Sequence, residues 1–87
     1  MDLEEVFEKY ADDYLNGEYQ YKDLAAFLML EQRGCLDRGD VISGARHEEI
    51  FLNVDMDELA KQDEAFIQEL VRCGVRFTEY DCLGMFV

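Results

Sequence analysis

Along the first fifteen residues apolar positions return at Leu3, Val6, Phe7, Tyr10, Ala11 and Tyr14, the i, i+3, i+4, i+7, i+8, i+11 spacing of one helix face. This pattern predicts an amphipathic helix from Asp2 to Leu15. Asn16-Gly17 should stop it, because both residues tolerate the left-handed backbone of a helix C-terminus. A second helix is expected from Tyr21 to Arg33, ending at Gly34. Its run Leu24-Ala25-Ala26-Phe27-Leu28-Met29-Leu30 is apolar on nearly every side. Such a helix either lies at the centre of the core, the first expectation, or lets Met29 and Leu30 emerge as an interface.

Residues Cys35 to Glu48 show no sustained period and read as a long loop with a short extended piece at Val41-Ile42. From His47 to Val54 the chain alternates, with Ile50, Leu52 and Val54 on one face of a half-buried strand. Asp55-x-x-Glu58 then matches a capping box opening a third helix, whose stripe is Met56, Leu59, Ala60, Phe66, Ile67, Leu70 and Val71. Asp63 falls in the middle of that stripe. Either the helix breaks at Gln62 and Asp63 caps a second segment, or Asp63 is a buried acid paired with an arginine. Val75–Glu79 and Cys82–Val87 flank Tyr80-Asp81 as a C-terminal hairpin. The expected architecture is α+β in the order ααβαββ. Two or three helices would pack on one side of a small three-stranded sheet, with a right-handed crossover between the first two strands.

With 87 residues the chain has room for one domain, 1–87, and one core. Apolar residues at 49% and aromatics at 13% set it apart from a disordered acidic tail, which buries too little to fold. Charge changes the picture most: 21 Asp and Glu face 8 Lys and Arg, a formal net charge of −13. That field repels phosphate backbones and anionic lipid, so direct nucleic-acid or membrane-surface binding is not expected and a basic protein becomes the expected partner. No apolar stretch approaches the ~20 residues of a membrane span, and Met1-Asp2-Leu3-Glu4-Glu5 lacks the basic start of a signal peptide. Cys35, Cys73 and Cys82 are odd in number and have no C-x-x-C spacing, as expected of reduced thiols in a cytoplasmic protein, in the host cytosol if phage-encoded.

Tests for chemistry return little. Asp55-x-Asp57 could open a calcium loop, but Ala60 stands where glycine is needed and Phe66 where a bidentate glutamate is needed. His47 is the single histidine, so no His-cluster zinc site is expected. Cys35, Ser43, His47 and Glu48 or Glu49 supply the residue types of a nucleophile and base, without a motif that fixes their geometry. The reading is therefore a non-enzyme with no catalytic residue, no metal and no cofactor.

The acids carry the functional expectation. Glu5, Glu8 and Asp12 would lie opposite the apolar stripe of the first helix, flanked by Glu4 and Asp13, and the third helix would add Asp57, Glu58 and Glu64 on its outer side. Like charges four apart, such as Glu4/Glu8, each cost a few tenths of a kcal/mol, roughly, so helix stability does not account for them. Rows of carboxylates can stand in for a phosphate backbone and dock on a Lys/Arg groove. Size, charge and the absence of catalytic motifs together resemble the small acidic inhibitors of phages and mobile elements, the anti-CRISPR proteins and DNA-mimic antirestriction proteins. Acidic antitoxins and nuclease immunity proteins look similar for the same reason. The resemblance implies a non-enzymatic inhibitor that occludes the nucleic-acid-binding surface of a nuclease or CRISPR effector, contacted through Glu4, Glu5, Glu8, Asp12, Asp13, Asp57, Glu58 and Glu64. The alternatives are an acidic shell serving solubility, as in a halophile, and an interaction module or homodimer using the Phe27–Leu30 side.

Overall fold

The computed structural model describes residues 2–86; Val87, the last residue of the expected hairpin, lies outside them. Helix α1 (Leu3–Lys9) is followed at once by a 3₁₀ helix (Ala11–Asn16), then α2 (Lys22–Gln32). Strands β1 (Ile42–Arg46) and β2 (Glu49–Leu52) precede the short helix α3 (Met56–Leu59) and α4 (Glu64–Arg72). Strands β3 (Arg76–Phe77) and β4 (Leu83–Phe86) close the chain. These elements form an α+β fold around one four-stranded antiparallel sheet in the order β1-β2-β4-β3.

The sheet has four strands where three are expected, because the segment read as a loop holds β1. That strand lies at the sheet edge and is exposed along most of its length, so it carries no period-2 apolar signal. Its hairpin to β2 turns at His47-Glu48, with His47 in the left-handed region at φ 51° and Arg46 paired to Glu49. Strands β2 and β3 are each antiparallel to β4, so they run parallel to one another and the α3–α4 connection crosses over with β4 inserted between them. Register places Leu52 opposite Leu83 and Ile50 opposite Met85, which sends these side chains to the face that packs on the helices. Glu49, Gly84 and Arg76 share the opposite face, where Arg76 Nε donates to Glu49 Oε2 at 2.6 Å. Glu49 lies directly over Gly84: a Cβ there would meet Glu49 Oε2 at 3.0 Å and Thr78 Cγ2 at 2.8 Å.

Helix α4 carries the core. Phe66, Ile67, Leu70 and Val71 recur at helical spacing and are buried, against Leu52, Leu59, Leu83 and Met85. Asp63 is its cap, accepting from the Phe66 backbone N–H at 2.9 Å, so the stripe is interrupted by a helix break and not by a buried ion pair. Asp55 caps α3 through the N–H groups of Asp57 and Glu58, at 3.1 and 3.2 Å. The expected capping box is only half built. The Asp55 N–H donates to the Cys35 carbonyl at 2.7 Å, and Glu58 turns outward to Lys61.

Three expectations for the N-terminal half are corrected. The first helix does not run to Leu15, since α1 ends at Lys9 and the chain tightens into the 3₁₀ turn. Gly17 is not a left-handed stop; its φ is −72°, ordinary extended backbone. Helix α2 is not central: Ala26 and Leu30 are fully buried, while Leu24 is 51% and Leu28 45% exposed. Leu30 therefore does not emerge, and Met29 is half-buried. The helix does end as its sequence indicates, with Gly34 in the left-handed region at φ 68°. Arg33 ties this end to the α3–α4 break, donating to Gln62 Oε1 at 3.0 Å and lying over the Phe66 ring. Among the described residues no helix is long and apolar enough to cross a membrane.

Candidate partner-binding surface

A concavity of about 1080 Å³ lies between α1, the 3₁₀ turn, the start of α2 and the β3–β4 side of the sheet. Its floor is apolar, built from Phe7, Ile50, Val71, Val75, Phe77 and Met85. Phe7 packs at 6.1 Å from Phe77, which seats α1 on β3. The chain between Asn16 and Lys22, part of which lines the groove, is not helical. Two tyrosines line it from exposed positions, Tyr14 at 50% and Tyr21 at 63% exposure. The stripe reading had placed Tyr14 against the core; the tightening at Lys9 rotates it outward. Glu4, Glu8 and Asp23 add carboxylates to the lining, and Lys22 and Arg76 add cations.

The acids expected to meet a partner divide into two kinds. Glu4, Glu5 and Glu8 are exposed on α1 and make no ion pair among the described residues; Glu4 and Glu8, one helical turn apart, line the groove. Asp12 is exposed and likewise outside the described ion pairs, but it belongs to the 3₁₀ turn and so does not continue the expected Glu5-Glu8-Asp12 row. Asp57 is exposed and Glu58 pairs with Lys61 at 2.9 Å; neither lines the groove.

Asp13 and Glu64 are spent on the fold. The Asp13 side chain is only 17% exposed and bridges the 3₁₀ turn to α4. Its Oδ1 accepts from Asn16 at 2.6 Å, and its Oδ2 from Gln68 at 2.7 Å and Arg72 Nε at 2.9 Å. Asp13 is therefore a clamp between elements, its charge already met by Arg72. Glu64 accepts from Lys9 Nζ at 3.0 Å and the Tyr10 hydroxyl at 3.1 Å, pinning the end of α1 to the start of α4. Tyr19 makes the third such tie, donating to Glu69 Oε2, a bond that with burial raises its hydroxyl pKa to about 12.

Hydrogen bonds from Asn16 and Gln68, with the nearby Arg72, hold the Asp13 carboxyl below its ordinary value of 3.8. A folded pKa below the unfolded one contributes stability above the unfolded value, and that contribution is lost as pH falls through the folded one. The urea midpoint of wild type should accordingly exceed that of Asp13→Asn at pH 7. The gap should close as pH drops below 3.8. Midpoints measured at neutral pH and below 3.8 check this; a gap that persists undiminished in acid contradicts the clamp.

Of the residues considered for nucleophilic chemistry, His47, Glu48 and Glu49 line one shallow concavity at the β1–β2 turn, and Cys35 and Ser43 are not part of its lining. Cys35 is fully buried and burial pushes its thiol up, while His47 is exposed in the β1–β2 turn. Burial likewise raises Cys73, to about 11. Among the described residues no group of three His, Cys, Asp or Glu side chains is placed to hold a metal ion. Comparison with protein families, curated proteins and solved structures finds no match for this chain.

Proposed function

We propose that this protein is a non-enzymatic inhibitor that binds a basic, nucleic-acid-binding surface of another protein, of the kind found on nucleases and CRISPR effector complexes, and blocks access to it. The observation that carries this reading is the division of labour among the carboxylates. Asp13, Glu49, Glu58, Glu64 and Glu69 pair with the cations of the fold. Glu4, Glu5, Glu8 and Asp12 make no ion pair among the described residues and are exposed on the N-terminal helix and turn, with Glu4 and Glu8 lining the groove. The repulsion between Glu4 and Glu8 costs a few tenths of a kcal/mol, roughly, and no cation of the described fold returns it, although Glu4 and Glu5 gain from the N-terminal dipole of α1. A cationic partner supplies that return, and the net charge of −13 steers such a partner in. Action would be in the cytosol of the cell that holds the target, where Cys35, Cys73 and Cys82 stay free thiols.

The test is titration of the protein into purified nucleases and guide-loaded CRISPR effectors, reading DNA cleavage and DNA binding in a salt series. An inhibited target should lose DNA binding in competition, and its affinity for this protein should fall about tenfold or more between 50 and 200 mM salt. Inhibition indifferent to salt, or a complex that still binds DNA fully, overturns the reading. A second reading, an interaction module or homodimer, draws on the exposed Leu24 and Leu28 of α2 in place of the Phe27–Leu30 side first expected.

A further inference from the structure

The groove combines an apolar floor with the carboxylates of Glu4, Glu8 and Asp23 at its edge. We propose that it receives a single amphipathic, basic helix of the partner protein. The apolar side of that helix lies against Phe7, Tyr14, Tyr21 and Met85, and its Lys or Arg side chains reach Glu4 and Glu8. This assignment rests on the inhibitor reading and names the element of the partner that is captured.

Three features argue for it. The floor is apolar and continuous with the core, so it gains from burying an apolar face more than from binding an ion. Tyr14 and Tyr21 are exposed aromatic side chains at a concave site, the type of residue that dominates binding energy at protein interfaces. Glu4 and Glu8 stand four residues apart on α1 and make no ion pair among the described residues, so a cation pair spaced by one turn on a docked helix matches them. Of the two cations in the lining, Arg76 is already committed to Glu49 at 2.6 Å and lies 4.8 Å over the Phe86 ring. Charge also discriminates among occupants: a second copy brings its own −13 to an acidic rim, and nucleic acid brings phosphates.

The experiment uses the full chain and an 18-residue helix-forming peptide of leucine and lysine with leucine on one face, followed by amide chemical shifts. Two control peptides are used, one with the same composition scrambled to remove the apolar face, one with glutamate in place of lysine. The amphipathic lysine peptide should shift Phe7, Ala11, Tyr21, Val75 and Met85 and bind about tenfold or more tighter than either control. Tyr14→Ala and Tyr21→Ala, both at exposed positions, should each weaken it about tenfold while leaving the unliganded spectrum otherwise intact. Equal binding of the scrambled lysine peptide, without groove shifts, overturns the helix assignment and leaves the inhibitor reading standing. Failure of both lysine peptides to bind overturns both. Equal binding of the glutamate peptide, or groove resonances that move with protein concentration as the chain sediments as a dimer, also overturns the assignment.

Discussion

Gly17→Ala is expected to cost about 3 kcal/mol or more, a large share of the roughly 5–15 kcal/mol that holds a domain of this kind together. An alanine Cβ would stand 2.0 Å from the Arg72 carbonyl oxygen and 3.0 Å from its carbonyl carbon. Both are backbone atoms at the end of α4, so no rotamer change can relieve the clash. Backbone freedom plays no part, because a φ of −72° suits any residue. The 3₁₀ turn would have to lift from α4, and the Asp13 clamp on Gln68 and Arg72 would open with it. Gly34→Ala is the matched control: its φ of 68° strains any side chain by about 1–2 kcal/mol, but no atom lies within 4 Å of the added Cβ. Urea midpoints should rank wild type above Gly34→Ala and Gly34→Ala above Gly17→Ala. Gly17→Ala at or above its control sinks the close-approach argument.

That glycine also shows where sequence reading stops. Asn16-Gly17 reads as a helix stop from its composition alone, and the chain does leave the helical turn there, but what demands the glycine is the backbone of Arg72, fifty-five residues away. The same holds for the first helix. Its apolar spacing continues through Ala11 and Tyr14, yet Asp12 and Asp13 would face the negative end of the dipole of one long helix, and the tighter turn lets Asp13 reach Arg72 and Gln68 instead. Where a segment buries one face against the core, the pattern was sufficient: α4, β2 and the β3–β4 hairpin all lie where their periodicity puts them. The Asp63 cap was legible because a carboxylate in an apolar stripe has few other places to go. Strand β1 was not, since an edge strand exposed on both faces has no pattern to read. Helix α2 misled in the opposite direction, because an apolar run all round the helix still buries only Ala26 and Leu30 fully. The charge of the candidate surface could be read directly, but not its groove, which is assembled from residues of segments far apart in sequence.

Replacing Glu4, Glu5 and Glu8 together by lysine is expected to weaken binding to a basic target by about 100-fold or more, because each site then presents a like charge where it offered a complement. The fold should survive. All three side chains are exposed and outside the described ion pairs, and lysine at Glu4 and Glu5, in the first turn of α1, costs about 0.3–1 kcal/mol per site against the dipole, a cost that Glu8 near the other end does not incur. Asp57→Lys with Glu58→Lys provides the comparison, on acids that do not line the groove. Glu58 already spends its charge on Lys61, and this variant should stay within about threefold of wild type at the same salt. Both variants leave the chain acidic overall, so a field effect from net charge alone would weaken them in proportion to the number of reversals. A loss concentrated on α1, with a flatter salt dependence in that variant only, locates the contact at the groove-lining helix. Comparable losses per reversed charge would mean that the acidity steers without a defined docking face, and no loss in either would return the acids of α1 to solubility.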